Sequence, residues 1–116
     1  MMTVRRILGT IALLQIGGCA SIAPGDPTLY QRLADSDVSM ASRLVQTTLE
    51  KAPDGATRRW TNEQTGNGGE ITPLRTFATE DGYFCRDYRE ELAVGATTGR
   101  FYHTACRDDS AGWIWL

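Results

Sequence analysis

The residues in this chain that could do chemistry fall into a few groups. Cysteines stand at Cys19, Cys85 and Cys106. A thiol can carry lipid, bind metal, exchange electrons or close a disulfide, and an odd count means that simple pairing cannot use all three. His103 is the single histidine. Without a second histidine or a spare thiol there is no zinc set, and no Ser-His-Asp arrangement can be assembled around it. A lone histidine of this kind reads as structural or as a surface residue. Thr65-Gly66-Asn67-Gly68-Gly69 has the glycines of a phosphate loop. It lacks both the GxGxxG and the Walker A spacing, and no helix follows to supply a dipole, so it reads as a hairpin loop using positive-φ residues. Asp108-Asp109-Ser110-Ala111-Gly112 combines carboxylates with a glycine but has no EF-hand continuation, and reads as a turn. Arg58, Arg59, Arg86, Arg89, Arg100 and Arg107 are interleaved with Asp87, Glu90 and Glu91, which favours cross-strand ion pairs. The sharper alternative is an anion patch built from Arg86, Arg89 and Arg107, for lipopolysaccharide phosphates or for peptidoglycan. No catalytic residue, metal site or cofactor is expected.

The whole-chain numbers agree with this modest inventory. The chain has 116 residues, 41% hydrophobic and 22% charged, with a formal net charge of −2. That length holds one domain, and those fractions exclude wholesale disorder or a collagen-like fibre. A pI near 5.3 gives no pull toward nucleic acid. The N-terminus is an address. Arg5 and Arg6 precede an uncharged apolar run from Ile7 to Ile16. This is the length of a signal-peptide core, well short of the roughly 20 residues a spanning helix needs. The run closes on Ile16-Gly17-Gly18-Cys19, which resembles the bacterial lipobox and implies that Cys19 is acylated and becomes the new N-terminus. The alternative is a plain secretory signal cut nearby, with Cys19 a spare thiol. Ala20, not aspartate, follows the cysteine and points toward the outer membrane. Loss of residues 1–18 removes Arg5 and Arg6 and leaves 98 residues with a formal charge of −4.

An exported chain meets an oxidising compartment, where Cys85 and Cys106 can pair. Val94-Gly95-Ala96-Thr97 reads as a two-residue hairpin with glycine first. With Val94 opposite Thr97, Cys85 falls directly opposite Cys106 at a non-hydrogen-bonded position. There Cα atoms approach to about 4.5 Å, within disulfide reach. A redox-active pair is the alternative, but the spacing is not C-x-x-C.

These residues are positioned by a simple set of elements. Residues 19–34 hold Pro24, Gly25 and Pro27 and read as the lipidated end and a flexible tether, the alternative at its far end being a short helical start near Leu29 to Leu33. Val38, Ala41, Leu44, Val45, Thr48, Leu49 and Ala52 mark one helical face, with Asp35 or Ser36 as N-cap and Pro53-Asp54-Gly55 as the stop. Thr57 to Thr61, Glu70 to Thr79, Tyr83 to Val94, Arg100 to Arg107 and Trp113 to Leu116 read as strands, with Pro73 at an edge or bulge and Asp81-Gly82 in a hairpin turn. The expected fold is α+β over residues 35–116: one amphipathic helix on a four- to five-stranded antiparallel meander with one disulfide. Phe84, Tyr88, Leu92, Phe101 and Ala105 should face the helix. Cys85, Asp87, Arg89, Glu91, Tyr102 and Thr104 should form the other, solvated face.

Trp60-Thr61-Asn62, Thr65-Gly66-Asn67-Gly68-Gly69, Thr72-Pro73, Tyr83-Phe84-Cys85-Arg86-Asp87-Tyr88, Ala105-Cys106-Arg107 and Gly112-Trp113 resemble, in order and spacing, the surface-antigen domain of 17-kDa common-antigen lipoproteins. The resemblance implies a lipid-anchored outer-membrane or surface protein of a Gram-negative bacterium, with no defined catalytic residues. It spans most of residues 36–115. The chain departs from the family in lacking a glycine-zipper segment, in placing His103 where glycine is common, and in the loop before Gly112-Trp113. The expected partners are a membrane, through Cys19, and an envelope protein or cell-wall ligand. An alternative role is an envelope inhibitor or sensor that engages a hydrolase or cell-wall ligand through Asn62, Gly66, Asn67, Gly68 and Gly69.

Closing a loop of about 22 residues stabilises a fold by roughly 3 kcal/mol in the chain-entropy model. Cys85→Ser should therefore lower the unfolding free energy by about that amount in urea. Identical melting of oxidised and reduced protein would contradict the staple.

Overall fold

The computed structural model describes residues 22–110 and 112–116. The signal segment and Cys19 lie outside the described residues. A 3-10 turn, Pro27–Arg32, leads into helix α1, Asp35–Lys51. Five strands follow: β1 (Arg58–Thr61), β2 (Gly68–Ala78), β3 (Phe84–Val94), β4 (Thr97–Arg107) and β5 (Trp113–Trp115). They form one antiparallel meander in the order β1-β2-β3-β4-β5, so the α+β expectation holds with the larger strand number.

The register follows from the hairpin. Val94 pairs with Thr97, Gly95 takes φ +59°, and Cys85 stands opposite Cys106. The two cysteines are bonded, with Cα atoms 3.9 Å apart. The ladder between β2 and β3 shifts between Pro73 and Arg75, a bulge where proline cannot donate. Strand β2 starts at Gly68, two residues earlier than expected, because glycines allow a close approach there. A Cβ on Gly69 would lie 2.5 Å from Trp60 Nε1 and 3.0 Å from the Glu91 carbonyl oxygen.

Helix α1 lies against β1 and β2, and its apolar stripe forms the core with the sheet. Val45 and Leu49 pack with Ile71, Tyr88, Ala105 and Trp113. Ala41 packs with Leu29, Trp60, Leu92 and Val94. Tyr88, Leu92, Phe101 and Ala105 face the helix as expected, but Phe84 is 59% exposed at the end of β3. The other face carries the expected polar ladder, in which Thr104 donates to Asp87 (2.6 Å) and Arg100 pairs with Glu91 (2.8 Å).

Two expectations need correction. Residues 23–33 are packed, not a free tether. Arg100 N–H donates to the Ala23 carbonyl (3.0 Å) and Gly25 N–H donates to the Arg100 carbonyl (2.8 Å), so the strip lies parallel to the free edge of β4. Proline at position 24 costs nothing there, because the bonds use its neighbours. Pro27 then suits the first turn of the 3-10 segment, Asp26 caps it by accepting from Thr28 N–H (2.9 Å), and Leu29 is buried to 3% exposure. The helix cap is also displaced. Ala34, not Asp35 or Ser36, is the N-cap, and the Asp37 carboxylate reaches back to its N–H (2.9 Å).

Asp37 is wholly buried. Its carboxylate also accepts from Asn62 Nδ2 (2.7 Å), Thr65 Oγ1 (2.7 Å) and Asn67 Nδ2 (2.8 Å). Burial acts to raise this carboxyl, but the bonds from Asn67, Thr65, Ala34 and Asn62 outweigh it and bring the pKa down to about 2. A folded value below the ordinary 3.8 means that the stabilisation is complete above that value and is lost as pH falls toward 2. Asp37→Asn should cost about 2–3 kcal/mol at neutral pH, the worth of charge-assisted buried bonds. The gap to the wild type should close between about pH 4 and pH 2. A gap that stays constant over that window would refute the carboxylate's role.

Candidate functional site: a groove beside helix α1

Helix α1 lies over β1 and β2 and is bonded to β5 at Trp113 through Gln46 (2.8 Å), but a groove stays open between the helix and Trp115. Tyr30 from the 3-10 turn and Trp115 from β5 border this opening, while Leu33, Val38, Ala41 and Val45 line it. The cavity holds about 290 Å³ and is mainly apolar. Glu90 of β3 also lines it and is only 3% exposed. Even-numbered residues of β3 face the helix, so a carboxylate at 90 sits among apolar neighbours and needs partners. The Tyr30 hydroxyl donates to Glu90 Oε1. His103 Nε2 lies 2.9 Å from the same oxygen and 2.9 Å from the Tyr30 hydroxyl. The His103 ring stacks on Trp115 with centroids 5.5 Å apart, and it sits opposite Tyr88 in the ladder, the position expected from the register.

Burial first, and then the bond to Glu90, push the Tyr30 hydroxyl well above its ordinary value, so it stays a protonated donor. Burial and the Glu90 charge push Tyr88 up in the same way. Ser42 also lines the groove and makes no hydrogen bond to His103 or Glu90 among the described residues. Nor do the described residues hold a group of three His, Cys, Asp or Glu side chains fit for a metal ion. The groove can seat an apolar body and offer a carboxylate to a donor.

The residues singled out from the sequence fall elsewhere. In the 62–69 loop, Asn62 and Asn67 are buried and turn inward to Asp37, and Asn67 Oδ1 also accepts from Gly95 N–H (3.0 Å). Gly66 supplies φ +75°, while Gly68 and Gly69 belong to β2. The Asn62 and Asn67 side-chain amides are therefore spent inside the fold, while Glu63, Gln64, Thr65 and Gly66 stay exposed. The three arginines do not form a patch. Arg86 is buried on the helix side, where it donates to the Leu49 carbonyl (2.7 Å) and to Asp54 (2.8 Å). The Arg86 bond, with one from Thr76, holds the Asp54 carboxyl below its ordinary range. Arg107 pairs with Glu50 (3.0 Å). Arg89 lies on the opposite face, 3.4 Å from Glu91. Each cation already faces a carboxylate. Sequence reading missed Glu90, Tyr30 and Trp115. The available signal was Glu90 itself, a charge in the apolar alternation of Tyr88 and Leu92.

A single helix on a five-stranded antiparallel meander, stapled by one disulfide, is an α+β domain. The family model for the 17 kDa outer membrane surface antigen matches residues 47–114, and the chain belongs to that family. The 17 kDa surface antigen of Rickettsia bellii (strain RML369-C) is 34% identical over 79 residues, 68% of this chain and 50% of the relative. Those of Rickettsia conorii (strain ATCC VR-613 / Malish 7) and Rickettsia prowazekii (strain Madrid E) are 33% and 35% identical over the same shares. The chain thus spans about half the length of the curated relatives it matches. No solved structure matches it.

Arg86→Met should destabilise the domain by about 1–3 kcal/mol, because it leaves the Leu49 carbonyl unpaired at the helix end. Arg89→Met on the open face should change little. Equal effects of the two in urea unfolding would contradict the distinction.

Proposed function

We propose that the chain is an outer-membrane lipoprotein, anchored by acyl groups on Cys19, whose non-catalytic domain binds a partner in the periplasm or at the cell surface. The observation that carries this reading is Cys19 itself, placed at the end of a short apolar run behind Arg5 and Arg6. Family membership supports an envelope location, since the family is described by its outer membrane surface antigen. No helix among the described residues is long and apolar enough to cross a membrane. Two or three acyl chains supply the anchoring that a single chain provides only marginally. The packed strip adds a distance. Four residue steps separate Cys19 from Ala23, the first of the described residues bonded to the sheet, so the domain would sit within about 14 Å of the acylated residue.

The groove beside α1 is the surface best suited to the partner. The inward-turned amides of the 62–69 loop do not favour the inhibitor reading, which relied on that loop.

Mass spectrometry of the mature N-terminus from the native host should show residue 19 carrying two or three acyl chains. Cys19→Ser should move the protein from the membrane to the soluble fraction. An unmodified Cys19 in native protein would overturn the anchor.

A further inference from the structure

We infer that the groove between α1 and Trp115 is a receptor for a lysine side chain of a partner protein, with Glu90 as the ammonium acceptor. This deepens the partner-binding reading above and rests on it. The starting point is the unequal use of the two Glu90 oxygens. Oε1 takes both the Tyr30 hydroxyl and His103 Nε2. Oε2 has no hydrogen-bond partner among the described residues, yet it is not among the side-chain atoms sealed from solvent without a partner. A carboxylate that is 97% buried thus keeps one open acceptor where its side chain lines the cavity. Among the described residues the one basic side chain within ion-pair distance is His103, and no lysine or arginine reaches it.

The walls select the rest of the ligand. Leu33, Val38, Ala41 and Val45 offer an apolar lining for an aliphatic stem, and the Trp115 and Tyr30 rings suit a cation beside them. With Oε1 already engaged, a guanidinium loses the two-oxygen fork that gives it its advantage over an ammonium. An ammonium is a compact charge that one oxygen can serve. A lipid ethanolamine has a shorter stem and carries a phosphate, which would meet the Glu90 charge unfavourably.

The test is an NMR titration of the full chain in zwitterionic micelles, following the Trp115 indole and His103 ring signals. The probes are Ac-Ala-Lys-Ala-NH₂, its arginine, norleucine and acetyl-lysine counterparts, and phosphoethanolamine. The lysine peptide should shift both signals to saturation. The other probes should bind at least about tenfold more weakly, the loss expected when a hydrogen bond to a charged group is removed. Glu90→Gln should weaken the lysine peptide by a similar factor. Because that variant touches a buried cluster, Val38→Trp supplies an independent check. Val38 is exposed at the groove, so filling the space there should block binding while leaving the melting temperature unchanged. Equal binding of the norleucine or arginine peptide, undiminished binding by Glu90→Gln, tighter binding of phosphoethanolamine, or no saturable shift would each overturn the inference. The mass at residue 19 is measured on the same sample. With protein isolated from the native host, acylation without lysine binding overturns the groove alone, and lysine binding by unmodified protein overturns the anchor alone.

Discussion

The buried Asp37 carboxylate is the joint on which the rest of the domain depends. One side chain joins the start of α1, the loop between β1 and β2 and, through Asn67 and Gly95, the turn between β3 and β4. A single helix on a single sheet has a limited core, and apolar contact alone leaves the helix free to slide and rotate. Four directional bonds to one carboxylate remove that freedom. At the far end Arg86 donates to the Leu49 carbonyl and pairs with Asp54, beyond the helix stop. An anion at the positive end of the helix dipole and a cation at the negative end are each the favourable sign. Both charges are buried, so breaking either pair exposes the full desolvation cost of what remains.

This fixed placement of α1 is also what leaves the groove. A helix pinned over β1 and β2 meets β5 at Trp113, where Gln46 bonds its backbone, and leaves the sheet beside Trp115 open; Tyr30, Glu90 and His103 occupy that margin. The cluster uses most of its hydrogen-bonding capacity internally, which favours a preformed site over one assembled on binding.

Much of the architecture was legible in the sequence because it followed from periodicities and counts. The three- and four-residue steps from Val38 to Ala52 marked the helix face, and the Gly95-Ala96 turn placed Cys85 against Cys106 without any structural input. Pro73 announced its bulge by lacking a donor. What could not be read was the destination of polar side chains. Asn62, Asn67, Arg86 and Glu90 looked like surface residues because residue type reports solvation preference, whereas their partners are distant in sequence and are assembled only by the fold. The segment from Ala23 to Leu33 was hidden for a related reason. Its prolines forbid self-pairing, but they say nothing about two neighbouring residues bonding to an edge that another strand provides.

That edge pairing sets the path of mechanical load. Tension on the chain ahead of Ala23 would run along the strip and load its two bonds to Arg100 together, in shear, not one after the other. From Arg100 the force enters β4, whose ladder to β3 is closed by the Cys85–Cys106 bond. The pull is thus borne by the stapled centre of the sheet.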